Sequence, residues 1–286
     1  MSSSITIILF FTYLWGLGFT ATSFVRDKPS NIWERQLLNL GIGLGIFPIL
    51  SIFLNFLHVP LDWRIFLLLS LAFPLGVFVR KIAKKQLPTV KDILTNLKPQ
   101  VRLTKSNLIL LGVLCIFAFS FFMYTKGAFS YPYLEDEDPW GHSVGVKYVA
   151  LEKNAYDPPV GEPGQVDPVL SYIDPYPPAY DILLGILHQT SPELQWTMKF
   201  FNALIISLSL IFFYLFAKEF MRNQNKALLA TFFLAAIPAY LSHFIWAHAL
   251  AVTIFFPTVY AFYKIREDSR WMYPAIILLA SVWVSQ

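Results

Sequence analysis

NLILLGVLCIFAFSFFMY, from Asn107 to Tyr124, carries no charged side chain over its whole length. A run this long and this apolar is what a helix needs to cross a hydrocarbon core of ~30 Å. Its flanks are opposite in sign. On one side, Arg80 to Lys105 holds Arg80, Lys81, Lys84, Lys85, Lys91, Lys98, Arg102 and Lys105 against the single acid Asp92. On the other side, Thr125 to Gln195 holds Glu135, Asp136, Glu137, Asp138, Glu152, Asp157, Glu162, Asp167, Asp174, Asp181 and Glu193 against Lys126, Lys147 and Lys153. By the positive-inside rule the basic segment is cytoplasmic and the acidic loop faces outward.

The same pattern repeats along the chain. Of 286 residues 56% are hydrophobic and 14% charged, a composition that no soluble domain of this size can hide. Apolar runs fall at Ser4–Phe24, Leu37–Leu57, Trp63–Val79, Asn107–Tyr124, Trp196–Ala217, Ala227–Trp246, Ala249–Tyr263 and from Trp271 onward. The expected fold is an all-α integral membrane protein, a polytopic helical bundle of about eight spans with a long structured loop over 125–195. Arg26, Lys28 and Arg35, then Lys218, Arg222 and Lys226, then Lys264, Arg266 and Arg270, all fall on the cytoplasmic side of one threading. The net charge of +4 therefore reports topology and not nucleic-acid binding. No basic residue precedes the first apolar run, which reads as a retained span and not a cleaved leader. Cys115 is the only cysteine, so no intrachain disulfide forms. The division expected is a three-span N-terminal part, 1–106, and a second part, 107–286. The chain stops inside an apolar segment, which reads as an incomplete C-terminus.

The acidic loop opens on Glu135-Asp136-Glu137-Asp138-Pro139-Trp140-Gly141-His142. Four adjacent carboxylates repel one another unless water or a cation neutralises them, and oxygen ligands suit hard divalent metals. Asp138 reads as an N-cap with Pro139 as the first helical residue, which fixes the carboxylate at the positive end of a helix dipole. His142 then falls one turn below Asp138, and Asp136, Asp138 and His142 make a metal set. The competing reading is an acidic, solvated loop. Trp140, Val144, Val146, Tyr148, Val149 and Leu151 fit a short amphipathic helix from Pro139 to about Glu152. A Pro- and Gly-rich stretch follows, then Tyr172-Ile173-Asp174-Pro175-Tyr176-Pro177-Pro178-Ala179-Tyr180, a rigid aromatic element. Asp181 to Gln189 is apolar but too short to span and reads as a helix resting in the outer leaflet. Where the sixth and seventh runs meet, His243 and His248 face the same side, and His248 is the stronger ligand candidate.

A span, then a long outer loop opening with Asp-Pro-aromatic-x-His, then Tyr176-Pro177-Pro178, a half-dipping helix and closely spaced spans resembles the GT-C membrane glycosyltransferases. The likeness is greatest to the catalytic subunit of oligosaccharyltransferase in its archaeal and bacterial forms, and it runs from about Asn107 to Gln286. It implies an enzyme of the cell membrane, active on the outer face, that moves a sugar or oligosaccharide from a polyprenyl-phosphate or -diphosphate (dolichol-type) donor to a protein or glycolipid acceptor. Asp138 stands where that family's first acidic motif binds a divalent metal, Mn or Mg. The second outer turn, Ile237 to His248, carries His248 where the relatives carry an acid. The three N-terminal spans precede the family's usual start.

The chemistry of lipid-linked transfer gives the remaining residues their expected places. Asp138, with Asp136 beside it, acts as metal ligand, general base or both. Lys147 and Lys153 meet donor phosphate or stand as solvated helix residues, and Trp140, Tyr176 and Tyr180 stack on sugar, line a lipid groove or serve as ordinary interface aromatics. Two other classes fit less well: a transporter whose acidic loop gathers cations at a pore mouth, and a noncatalytic scaffold in which Asp136 and Asp138 are replaceable together.

Overall fold

The computed structural model describes residues 2–84, 104–156, 177–237 and 244–286. Among the described residues ten α-helices follow in order: α1 (Ser3–Thr22), α2 (Ile32–Phe56), α3 (Trp63–Ala83), α4 (Lys105–Ala128), α5 (Glu137–Glu152), α6 (Ala179–His188), α7 (Leu194–Met221), α8 (Gln224–Ala235), α9 (His248–Lys264) and α10 (Met272–Ser285). The chain is an all-α polytopic membrane protein. Among the described residues five helices, α1 to α4 and α7, are long and apolar enough to cross a membrane.

The helices in the last three expected spans are all shorter than the ~20 residues of a full crossing. α8 has 12 residues, α9 has 17 and α10 has 14. The run Ala227–Trp246 does not continue as one helix: among the described residues α8 ends at Ala235, and Phe244 to Trp246 is not helical. Pro238 is the local reason. The residue before a proline is pushed out of the helical region, so hydropathy continues where the helix cannot. The greater part of the basic segment Arg80–Lys105 lies outside the described residues.

α7 is the axis of the bundle, buried over most of its length, while α3 and α4 present most of their side chains outward. α1 and α2 pack backbone to backbone: a Cβ on Gly43 would sit 1.8 Å from the Leu14 carbonyl oxygen. Small residues allow this approach where lipid gives helices no hydrophobic reason to associate. One core runs from Leu9 and Phe10 of α1, through Phe47, Ile182 and Phe201, to Leu278 of α10.

The two ends of the bundle differ in their charge. At one end, Lys218 of α7 pairs with Glu34 of α2, and Lys264 of α9 meets Asp27, Glu219 and Glu267. The Arg270 side chain donates to both Asp268 oxygens at 2.9 and 3.0 Å, and Asp268 also accepts the Arg26 backbone N–H at 2.7 Å. These are connections that the charge pattern assigned to one face. The opposite end carries the start of α3, all of α5 and α6, and the first residues of α7 and α9.

Candidate active site

The acidic octapeptide forms the start of α5, two residues earlier than the proline signal implies. Asp136 is the N-cap: its backbone is extended (φ −151°, ψ 177°) and its carboxylate accepts the Glu137 N–H at 2.8 Å. Asp138 is therefore the second helical residue and Pro139 the third. Proline is tolerated anywhere in a first turn, because those N–H groups have no partner inside the helix. It marks the turn without fixing its first residue. Glu137 and Asp138 both lie in the first turn, at the positive end of the helix dipole. Glu135, Asp136 and Glu137 are exposed, Asp138 is half-buried, and Trp140 is exposed.

Below this turn the helix is anchored by a buried polar network. His142 is not beside the carboxylates as a ligand. It is buried, and its Nδ1 lies 2.8 Å from Oδ1 of Asp181 in the first turn of α6. Burial pushes the Asp181 carboxyl above the usual carboxylate range, against the hydrogen bond from His142. The space for Asp181 exists because residue 145 is glycine: a Cβ there would lie 2.4 Å from Oδ2 of Asp181. One turn along, a Cβ on Gly185 would meet Cβ of Val149 at 2.6 Å, so α5 and α6 are in near backbone contact.

Tyr180, expected on sugar or in a lipid groove, is fully buried. Its ring lies edge-on to His142 at 5.0 Å, and its hydroxyl donates to Oδ1 of Asn202 at 3.0 Å. Asn202 in turn donates from Nδ2 to the carbonyl of Phe244 at 2.9 Å. Tyr180 thus ties α6 to α7 and, through Asn202, to the turn before α9. Tyr176 and His243 lie outside the described residues.

Lys199 of α7 stands under the acidic turn. Its side chain is buried, and its ammonium donates to the Tyr131 carbonyl at 2.5 Å and sits 5.7 Å from the Phe129 ring centroid. Lys199 and Glu135 line one small cleft with Ala128, Pro139 and Ile245. One turn down α4 from Ala128, Tyr124 begins an apolar groove of about 480 Å³ between α4 and α8, lined also by Cys115, Phe119 and Phe232. The cleft that holds Glu135 and this apolar groove thus meet α4 one turn apart.

His248 opens α9, its ring 4.6 Å from that of Trp246. Among the described residues no three His, Cys, Asp or Glu side chains come together as a metal-binding group. Asp136 and Asp138 share one turn, while His142 is committed to Asp181. Lys147, expected at donor phosphate, is exposed near the other end of α5.

Three residues of this site escaped the sequence reading. Lys199 carried a signal, since it is the one charge deep inside the run Trp196–Ala217, and a charge there is rarely idle. Asp181 stands at the start of a short apolar run, where it looks like an ordinary first-turn acid. Asn202 gives no signal at all.

No curated protein and no solved structure matches the chain. Residues 158–285 match the family model of dolichyl-phosphate-mannose-protein mannosyltransferases, a GT-C family. The matched region takes in α6 to α10 and stops short of the acidic turn of α5. Over that stretch, less than half of its length, the chain is similar to membrane glycosyltransferases that use a dolichyl-phosphate-linked sugar.

Proposed function

We propose that the protein transfers a single mannose-type sugar from a polyprenyl monophosphate to a hydroxyl of a protein acceptor, at the outer face of the cell membrane. The observation that carries this reading is the juxtaposition of the carboxylate turn Asp136–Asp138, the buried ammonium of Lys199 and the apolar groove that starts at Tyr124. A lipid tail in the α4–α8 groove brings its phosphate to the end of the bundle where α5 begins. The family match favours a monophosphate donor over an oligosaccharyl diphosphate.

Each residue then has a task. The acceptor oxygen bonds to the anomeric carbon as the bond from that carbon to the phosphate oxygen breaks. Asp138 takes the hydroxyl proton, and the half-buried carboxylate is held in direction by the first turn of α5. Negative charge collects on the departing lipid phosphate, and Lys199 supplies fixed positive charge beneath the turn. Trp140, exposed next to Asp138, offers a face to the sugar. A divalent cation held by Asp136, Asp138 and the phosphate would neutralise the same charge.

The test is transfer from radiolabelled dolichyl-phosphate mannose in membranes carrying the protein, with and without chelator, for wild type and Asp138→Asn. Loss in the variant with no effect of chelator makes Asp138 a base that works alone. Loss in both brings in the metal. Undiminished transfer by the variant removes this turn from the chemistry.

A further inference from the structure

At the far end of α5 lies a second polar cavity, of about 420 Å³, whose lining includes Asp62 and Arg64 from the start of α3, Lys147 and Lys153, and His188 from the end of α6. Its walls are clamped together. Lys153 adopts a left-handed backbone (φ 55°) at the end of α5, uncommon for a residue other than glycine. Its carbonyl accepts the Leu61 N–H at 2.8 Å and its ammonium binds the Asp62 carboxylate. Gln189 accepts the Trp63 N–H at 3.0 Å and donates to the Leu61 carbonyl at 2.6 Å. Ends of three helices are thereby fixed around one space.

The charge in that space is unbalanced. Asp62 is its only carboxylate among the described lining residues, and Lys153 already engages it. Although burial opposes ionisation, the Lys153 hydrogen bond holds the Asp62 carboxyl below its usual range. Arg64 and Lys147 are exposed and make no ion pair among the described residues. His188 is held below its ordinary value, first by burial and then by the charge of Lys147. The basic side chains of Arg64, Lys147 and Lys153 are gathered here against the one carboxylate of Asp62.

The position of the cavity indicates what supplies that charge. α3 starts at Trp63 and Arg64, a tryptophan and an arginine at the very end of a span, which is where lipid headgroups lie. Asp138 and Lys153 are separated by fifteen residues of helix, about 22 Å, so a donor phosphate at Asp138 does not reach this space.

We propose that the niche formed by Arg64, Lys147, Lys153 and His188 binds the phosphate of an anionic membrane lipid headgroup, at a site separate from the acidic turn. The inference stands whether or not the acidic turn transfers sugar. The full chain, purified in detergent and exposed to an equal mixture of phosphatidylglycerol and phosphatidylcholine, is examined by native mass spectrometry. Wild type retains phosphatidylglycerol in preference, and Arg64→Gln with Lys147→Gln lowers that preference roughly tenfold or more, from about 1 kcal/mol per basic group. Arg64→Lys with Lys147→Arg keeps it, which shows that the loss is one of charge and not of folding. Equal retention of the two lipids, or an undiminished preference in the neutral variant, overturns the proposal. Displacement of the lipid by millimolar inorganic phosphate overturns it too, since the niche would then be a site for free phosphate.

Discussion

The two ends of the bundle both carry charged residues and use them in opposite ways. At the end built by Asp27, Glu34, Glu219, Lys218 and Lys264, every one of these side chains has a partner of opposite sign from another helix or loop. At the other end the signs are largely separated along a single helix: acids crowd the first turn of α5, and Lys147 and Lys153, with Glu152 between them, stand toward its far end. Paired charges join helices. Separated charges leave local fields that favour a ligand of the other sign, and they persist only if something else holds the structure together. Here that is the buried network of His142, Asp181, Tyr180 and Asn202. The first end serves architecture and the second recognition.

The comparison breaks most visibly at Asp138. Asp138→Asn removes one exposed-side carboxylate from a crowded turn, so folding is unaffected and thermal stability stays the same or rises slightly. Transfer falls by about 10²- to 10⁴-fold if the carboxylate is the base. A variant that both loses activity and unfolds would place this turn with the architectural end. Lys264→Met is the mirror experiment. It leaves three acids, 26–41% exposed, around a side chain that is 6% exposed, and it costs about 1–3 kcal/mol. The measurement is thermal unfolding in detergent. The surviving folded fraction should transfer sugar at the wild-type rate per molecule, and a specific loss of turnover would contradict the division between the ends.

Gly145→Ala probes what holds the separated charges in place. The added methyl would sit 2.4 Å from Oδ2 of Asp181, so the α5–α6 contact must open at a cost of about 1–3 kcal/mol. Both the unfolding temperature and sugar transfer should fall, because the acidic turn rides on α5. Asp181→Ala in the same background should recover part of the stability by making room for the methyl. If Gly145→Ala is silent, α5 has slack and the buried network does not position the turn.

The spans were readable because hydropathy over twenty residues is a sum, insensitive to any one side chain. That is also why α8 was overestimated: Pro238 changes backbone geometry without changing hydropathy. The acidic turn was readable for its density of like charge, yet its phase was misjudged by two residues because Pro139 suits the third helical position as well as the first. His142 and Tyr180 were picked out by their neighbours in sequence, while their partners, Asp181 and Asn202, come from other helices. Nothing local distinguishes a histidine one turn below a carboxylate from one that points into α6. Lys199 shows the opposite case, where a single residue against its background carried the signal.

The smallest effect concerns the one ion pair that crosses into the basic niche, Lys153 with Asp62. The folded structure holds the Asp62 carboxyl below its usual value, so folding favours the ionised form. Its contribution is fully present above the unfolded value near 3.9 and is lost as pH falls through the folded one. Lys153 is partly exposed, so the pair contributes on the order of 1 kcal/mol or less. Asp62→Asn isolates this term, because asparagine still caps α3 through the hydrogen bond that Asp62 accepts from the Arg64 N–H at 2.9 Å. Thermal unfolding of wild type and variant should differ by a few degrees or less at pH 7, and the two curves should converge on acidification toward pH 3. A gap that does not depend on pH would mean that the carboxylate acts only as a cap. Freed of Asp62, Lys153 should add its charge to Arg64 and Lys147, so the same variant should retain phosphatidylglycerol more strongly at pH 7 while being slightly less stable. Stability and binding moving in opposite directions on one substitution is what separated charge requires, and the paired end of the bundle offers no position where that can happen.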